Sequence, residues 1–138
     1  MRTFIKLVAI CGITLIQACG PDYENDFYKR ISGITIPPAA SLIETVDNGE
    51  YITVTSFKMT ASDILNFSKK NDFEPVDGSY VPGFFGNSFL KGPKPEKNDL
   101  NNCLMKIGQK GKTGFVYVID TARNILWAEI NYPDWSGN

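Results

Sequence analysis

The chain has 138 residues, with 14 basic and 15 acidic side chains and a formal net charge of −1. That is the length of one domain behind a leader, and so even a charge balance points to no nucleic-acid surface and no polybasic membrane patch. There is no histidine, which removes the commonest general base, the commonest zinc ligand and the Ser-His-Asp and Cys-His arrangements. No metal, nucleotide or other cofactor is expected, and the chain is expected not to be an enzyme.

Residues 1–18 have the three parts of an export signal. Arg2 and Lys6 are cationic, Leu7 to Ile16 is apolar apart from Gly12 and Thr14, and Gln17-Ala18 precede Cys19. Ten apolar residues rise only about 15 Å as a helix, roughly half a hydrocarbon core, so this is a signal core and not a membrane span. Ile16-Gln17-Ala18-Cys19 resembles the lipobox of bacterial lipoproteins: an aliphatic residue, a tolerant position, a small residue and Cys. The resemblance covers only the first 20 or so residues. It implies that Cys19 carries a thioether-linked diacylglycerol and that the chain is cut before it. A thiolate is the side chain nucleophilic enough to take the lipid at neutral pH. Two or more acyl chains, at about 0.8 kcal/mol per buried methylene, make a stable anchor. The resemblance further implies an envelope protein facing the periplasm. Gly20 instead of Asp after the Cys points to the outer membrane over the inner.

Residues 19–26, the lipidated Cys followed by Gly-Pro-Asp-Tyr-Glu-Asn-Asp, read as a short tether. A single domain is expected over 27–138. Phe27 to Ile31 suits a helical turn or two, with Tyr23, Phe27 and Ile31 spaced by four and Ser32-Gly33 as the stop. Ile34-Thr35-Ile36 is a short apolar run closed by Pro37-Pro38. Gly33-Ile34-x-x-Pro37 resembles the entry strand of small bacterial lipoproteins, a likeness that implies no activity. Ser41 to Val46 and Glu50 to Met59 are rich in β-branched and aromatic residues around Asp47-Asn48-Gly49. Asn-Gly predicts a hairpin, because a type I′ turn needs φ > 0 at both central positions. Thr60 with Asp63 three residues on predicts a capped helix over Ala61–Asn71, closed by Lys69-Lys70 at its negative dipole end.

The segment 77–102 has four glycines, three prolines and the scattered aromatics Tyr80, Phe84, Phe85 and Phe89. It predicts a long irregular loop, which in a compact domain is usually functional or mobile. Leu104 to Ile107, Lys112 to Asp120 and Ile125 to Tyr132 predict three strands, the last two joined by a turn at 121–124. Phe115, Tyr117 and Ile119 fall on one face, Val116 and Val118 on the other, so that strand should be central and covered on both sides. Phe115, Tyr117, Ile119, Leu126, Ile64 and Phe67 are the expected core.

With Cys11 in the leader and Cys19 lipidated, no second thiol remains to bridge Cys103 within the chain, and it is expected to be either a small buried hydrophobe or a thiol for an intermolecular bridge. Gly111-Lys112-Thr113 imitates the end of a P-loop, but residue 106 is Lys and a strand follows instead of a helix. Asp120, Glu129 and Asp134 are the acids of the C-terminal third. A two-carboxylate hydrolase needs a pair about 5–10 Å apart. Asp120 is instead expected to start a turn by accepting from nearby backbone amides. Glu129 is expected to face solvent.

The pattern is α+β: an antiparallel sheet of about five strands, one principal helix packed on one face and a long loop, behind a cleaved signal peptide. The expected function is a lipid-tethered module that binds an unknown protein, such as an immunity protein or an accessory of envelope assembly. The expected partner-binding residues are Tyr80, Phe84, Phe85, Phe89, Lys91 and Lys94, since aromatics dominate interface hot spots and lysines supply a polar rim. The alternatives are a His-independent envelope hydrolase and a purely structural lipoprotein.

Overall fold

A computed structural model describes residues 25–47, 52–77 and 90–132. The export signal, the lipobox with Cys19, the Asn48-Gly49 turn, the aromatic segment with Tyr80, Phe84, Phe85 and Phe89, and the tail from 133 lie outside them. The fold is α+β. Helix α1 (Asn25–Ser32) leads to β1 (Ser41–Asp47), β2 (Ile52–Lys58), α2 (Ala61–Lys70) and β3 (Glu74–Pro75). A 3₁₀ turn (Lys97–Asn102) then precedes β4 (Cys103–Lys110), β5 (Thr113–Asp120) and β6 (Ile125–Asn131).

The strands form one sheet in the order β1-β2-β6-β5-β4-β3, and every neighbouring pair is antiparallel. The sheet has six strands, where about five were expected. The extra one, β3, has two residues, and a Pro in so short an edge segment leaves no period to read. The predicted β1–β2 pairing is present, running from Ser41↔Lys58 to Asp47↔Thr53 with a bulge between Leu42 and Glu44. β6 is inserted between β2 and β5. Its residues from Ile125 to Ile130 are all buried, so only a central position satisfies both its faces.

One face carries the larger core. Phe115, Tyr117, Ile119, Leu126, Ala128 and Ile130 pack there with Phe57, beneath Tyr28 of α1, Ile34, Ile36, and Ile64 and Phe67 of α2. All six residues expected in the core are buried. Tyr28 meets Phe57 and Tyr117 edge-on, at 5.7 and 6.2 Å between ring centroids, the arrangement aromatic quadrupoles favour. The Ser32 and Tyr117 hydroxyls lie 2.7 Å apart and tie the end of α1 to β5. At α2, the Thr60 hydroxyl accepts from the Asp63 N–H at 3.1 Å and donates to the Asp63 carboxylate at 2.7 Å. This satisfies one of the orphan amide donors of the first turn.

Gly108 of β4 lies opposite Phe115 of β5, and the Phe115 ring covers it. A Cβ on residue 108 would sit 2.3 Å from Phe115 Cζ. Gly108→Ala must therefore displace that ring, and overpacking of this kind costs roughly 1–3 kcal/mol. Thermal unfolding tests this, and an unchanged melting temperature would contradict the ring's position.

Candidate functional site

The second face of the sheet bears the features that packing alone does not require. β-strand parity and register put Val54 and Ser56 of β2, Trp127 and Glu129 of β6, and Val116 and Val118 of β5 on this face. Val54, Val118, Ile125 and Trp127 pack there with Leu90, Leu100 and Cys103. Cys103 is buried, as expected of a small hydrophobe.

Residues 90–96 cross this face as an irregular strap that bends at Lys91-Gly92. Four side-chain contacts to its backbone fasten it. Glu44 accepts from the Lys91 N–H at 2.9 Å through Oε1 and from the Gly92 N–H at 2.8 Å through Oε2. Trp127 Nε1 donates to the Pro93 carbonyl at 2.9 Å, and Arg123 Nη2 donates to the Lys94 carbonyl at 2.9 Å. A Cβ on residue 92 would stand 3.0 Å from Glu44 Oε2, so glycine permits the close approach there. Donation from the Lys91 amide lowers the Glu44 pKa. Partial burial opposes it, and the Gly92 amide and the Lys91 and Lys94 charges add to the lowering. A lowered carboxyl contributes stability above its unfolded value and loses it as pH falls through the folded one. The Glu44 fastening is thus complete at neutral pH and fails in acid.

Arg123 is itself held. Its Nε donates to Asp120 Oδ2, forming an ion pair, and its guanidinium lies 5.3 Å from the Trp127 ring centroid, within cation–π range. Asp120 Oδ1 accepts the Ala122 and Arg123 N–H groups at 2.9 and 2.8 Å. Asp120 starts the 121–124 turn as its residue type implied. Asp120 and Glu129 do not make a close carboxylate pair, and Asp134 lies outside the described residues. Asp120 pairs with Ile125, and Glu129 with Val116. Four residue steps along the strands separate them by about 13 Å, too far for a two-carboxylate hydrolase.

Glu129 corrects the expectation of a solvent-facing carboxylate. It is only 5% exposed. Its Oε1 accepts from Asn131 Nδ2 at 2.9 Å, while Oε2 has no hydrogen-bond partner among the described residues. Trp127 is the signal that was present in the sequence: a residue two positions along a strand shares the face of its neighbour, and here that face is covered. Burial raises the Glu129 pKa, and the Asn131 amide only partly offsets it. A raised carboxyl contributes most below its unfolded value, and that contribution is lost as pH rises through the folded value. Glu129→Gln should therefore gain stability over wild type progressively from about pH 4.5 upward. Melting temperatures of both proteins between pH 4 and 8 test it; a difference independent of pH would show that Glu129 does not titrate under burial.

Of the sequence-predicted partner residues, Lys91 is exposed and Lys94 half-buried, both on the strap. Tyr80, Phe84, Phe85 and Phe89 lie outside the described residues. Lys106 and Lys110 share the parity of Leu104, which packs with the helical face, and Lys110 Nζ donates to the Arg30 carbonyl. Lys106 and Lys110 therefore lie on the face opposite the strap. Among the described residues, no group of three or more Cys, Asp or Glu is placed to hold a metal ion, and no helix is long and apolar enough to cross a membrane. No protein-family model, curated protein or solved structure matches the chain.

Proposed function

We propose that the chain is a lipid-anchored envelope protein whose domain binds another protein through the strapped face and the aromatic segment that leads into it. The export signal and Ile16-Gln17-Ala18-Cys19 support the anchor, with Cys19 as the lipid acceptor and the outer membrane as its place. The strap carries the binding reading. Side chains from three separate elements hold residues 91–94 by their backbone, and the Lys91 side chain is exposed beside Glu44. Leu90 anchors the start of the strap in the second core, and the backbone that follows it is fixed by polar side chains from elsewhere in the fold. Pre-organising a recognition loop in this way reduces the ordering cost of binding. An immunity protein or an accessory of envelope assembly fits such a module. The separation of Asp120 and Glu129 weighs against the hydrolase alternative.

The anchor and the binding surface are tested separately. Cys19→Ala should abolish incorporation of labelled fatty acid and leave an unprocessed precursor; label retained by the variant would refute the lipobox reading. For binding, the tagged, detergent-solubilised protein is captured from its own cells as wild type and as a Phe84/Phe85/Phe89→Ser triple variant. Loss of a copurifying protein at unchanged melting temperature is the expected result. An unchanged partner set, or a triple variant that is simply unstable, would overturn the binding surface.

A further inference from the structure

Among the described residues, two polar atoms on the strapped face have no hydrogen-bond partner, and the register places their residues diagonally across neighbouring strands. Ser56 lies opposite Trp127, and Val54 opposite Glu129, so Ser56 and Glu129 are diagonal across β2 and β6. Diagonal residues on one face stand about 7–8 Å apart, their Cβ atoms somewhat less, a span that one group donating in two directions can bridge. Ser56 is 0% exposed and Glu129 5%, and neither Ser56 Oγ nor Glu129 Oε2 has a hydrogen-bond partner among the described residues. A buried polar atom left unpaired costs about 1–3 kcal/mol, more when charged. A single donor placed between them would satisfy both atoms.

The surroundings define that donor. Val54 from β2, Val116 from β5 and Trp127 on the same strand wall the carboxyl with hydrocarbon. Asn131 orients it through Oε1. The charged groups on this face, Glu44, Asp120 and Arg123, are engaged at the strapped end, and Lys58 donates to the Arg123 carbonyl. Cover thins in the opposite direction. Beyond Glu129, Asn131, Ile52, Val46 and Val116 are half-buried and Ile107 is exposed. Apart from Asn131, the less-covered side chains at this end are apolar.

We infer that Glu129 and Ser56 form a subsite for a primary ammonium on an apolar stem, the chemistry of a lysine side chain presented by the partner. The stem would lie along Val116 and Val54, and the ammonium would donate to Glu129 Oε2 and Ser56 Oγ. A neutral donor would satisfy the same atoms. The ammonium additionally compensates the carboxylate that burial disfavours. Binding to the protonated site is accordingly coupled to release of one proton to solvent. This assignment rests on the protein-binding reading above, yet the probe below does not require the partner.

The test uses detergent-solubilised full-length protein, with glutamate carboxyl carbons labelled for NMR. n-Butylammonium chloride is the probe, with n-butanol and sodium chloride as controls. Butylammonium should lower the pH at which Glu129 ionises and raise the melting temperature. Its apparent affinity should strengthen about tenfold per pH unit while Glu129 remains protonated. Ser56→Ala should weaken it roughly tenfold. Glu129→Gln should abolish the effect while remaining folded. No shift with butylammonium, an equal response to butanol, or an equal response of the Glu129→Gln protein would overturn the assignment. If partner capture survives Glu129→Gln and butylammonium does nothing, the subsite falls and the binding module stands. If butylammonium binds as expected but strap and aromatic variants capture the same proteins as wild type, the module falls and the subsite stands.

Discussion

Trp127→Ala should destabilise the domain by about 3–5 kcal/mol. Trp127 is 0% exposed and central to the second core with Val54, Val118, Ile125 and Leu90. Removing its side chain leaves a cavity between β2 and β5 and also removes the Nε1 donor to Pro93 and the surface beneath Arg123. Against a domain stability of about 5–15 kcal/mol, a loss of that size is severe. Trp127→Phe separates the two contributions. It keeps most of the bulk and loses the hydrogen bond, about 1 kcal/mol, so global stability should fall little. Amide exchange at Lys91, Gly92 and Lys94 should nevertheless quicken. Denaturant unfolding measures the first effect and hydrogen exchange the second. A Trp127→Ala loss below 1 kcal/mol would mean that the strapped face is not a core at all.

Asp120→Ala should cost about 3 kcal/mol, the low end for breaking a buried ion pair, because Arg123 keeps a 31% exposed side chain while that of Asp120 is 1% exposed. The substitution orphans the Ala122 and Arg123 amides at the β5–β6 turn and frees the guanidinium that holds the Lys94 carbonyl. Both the turn and the strap should loosen together. A double-mutant cycle with Arg123→Ala measures the coupling, expected at roughly 0.5–3 kcal/mol for residues in contact. Additive effects would show that Asp120 acts only on the turn and that the strap is held independently.

Those two substitutions converge on the strap because a single network, Asp120 to Arg123 to Trp127, supports both the β5–β6 turn and residues 93–94. Glu44 supplies a second fastening from the far edge of the sheet, at β1. Release of either end should expose the same face, and site-specific variants should tell them apart: Glu44→Ala frees the Lys91 and Gly92 amides, and Arg123→Ala frees the Lys94 carbonyl.

What the amino-acid sequence determined by itself is what lies within a few residues of its cause. Thr60 and Asp63 cap α2 across three positions. Asp120 closes the 121–124 turn through amides two and three residues on. The alternation of Phe115, Tyr117 and Ile119 with Val116 and Val118 marks β5 as covered on both faces, and both clusters are there. Such signals are legible because backbone preference and side-chain periodicity act locally. Only the tertiary structure decided the rest. β6 stands between β2 and β5 because its two apolar faces need cover, but nothing near it in the chain names β2, some 70 residues earlier, as the neighbour. The strap is irregular in sequence, and its course is set by Glu44, Arg123 and Trp127, which reach it from 29 to 48 positions away. Glu129 is polar and sits on a β-strand, a pattern that ordinarily means a solvated face; its burial depends on Trp127 sharing that face and on what the fold lays over it. The candidate site belongs almost wholly to this second class, since it is assembled from side chains far apart in the chain.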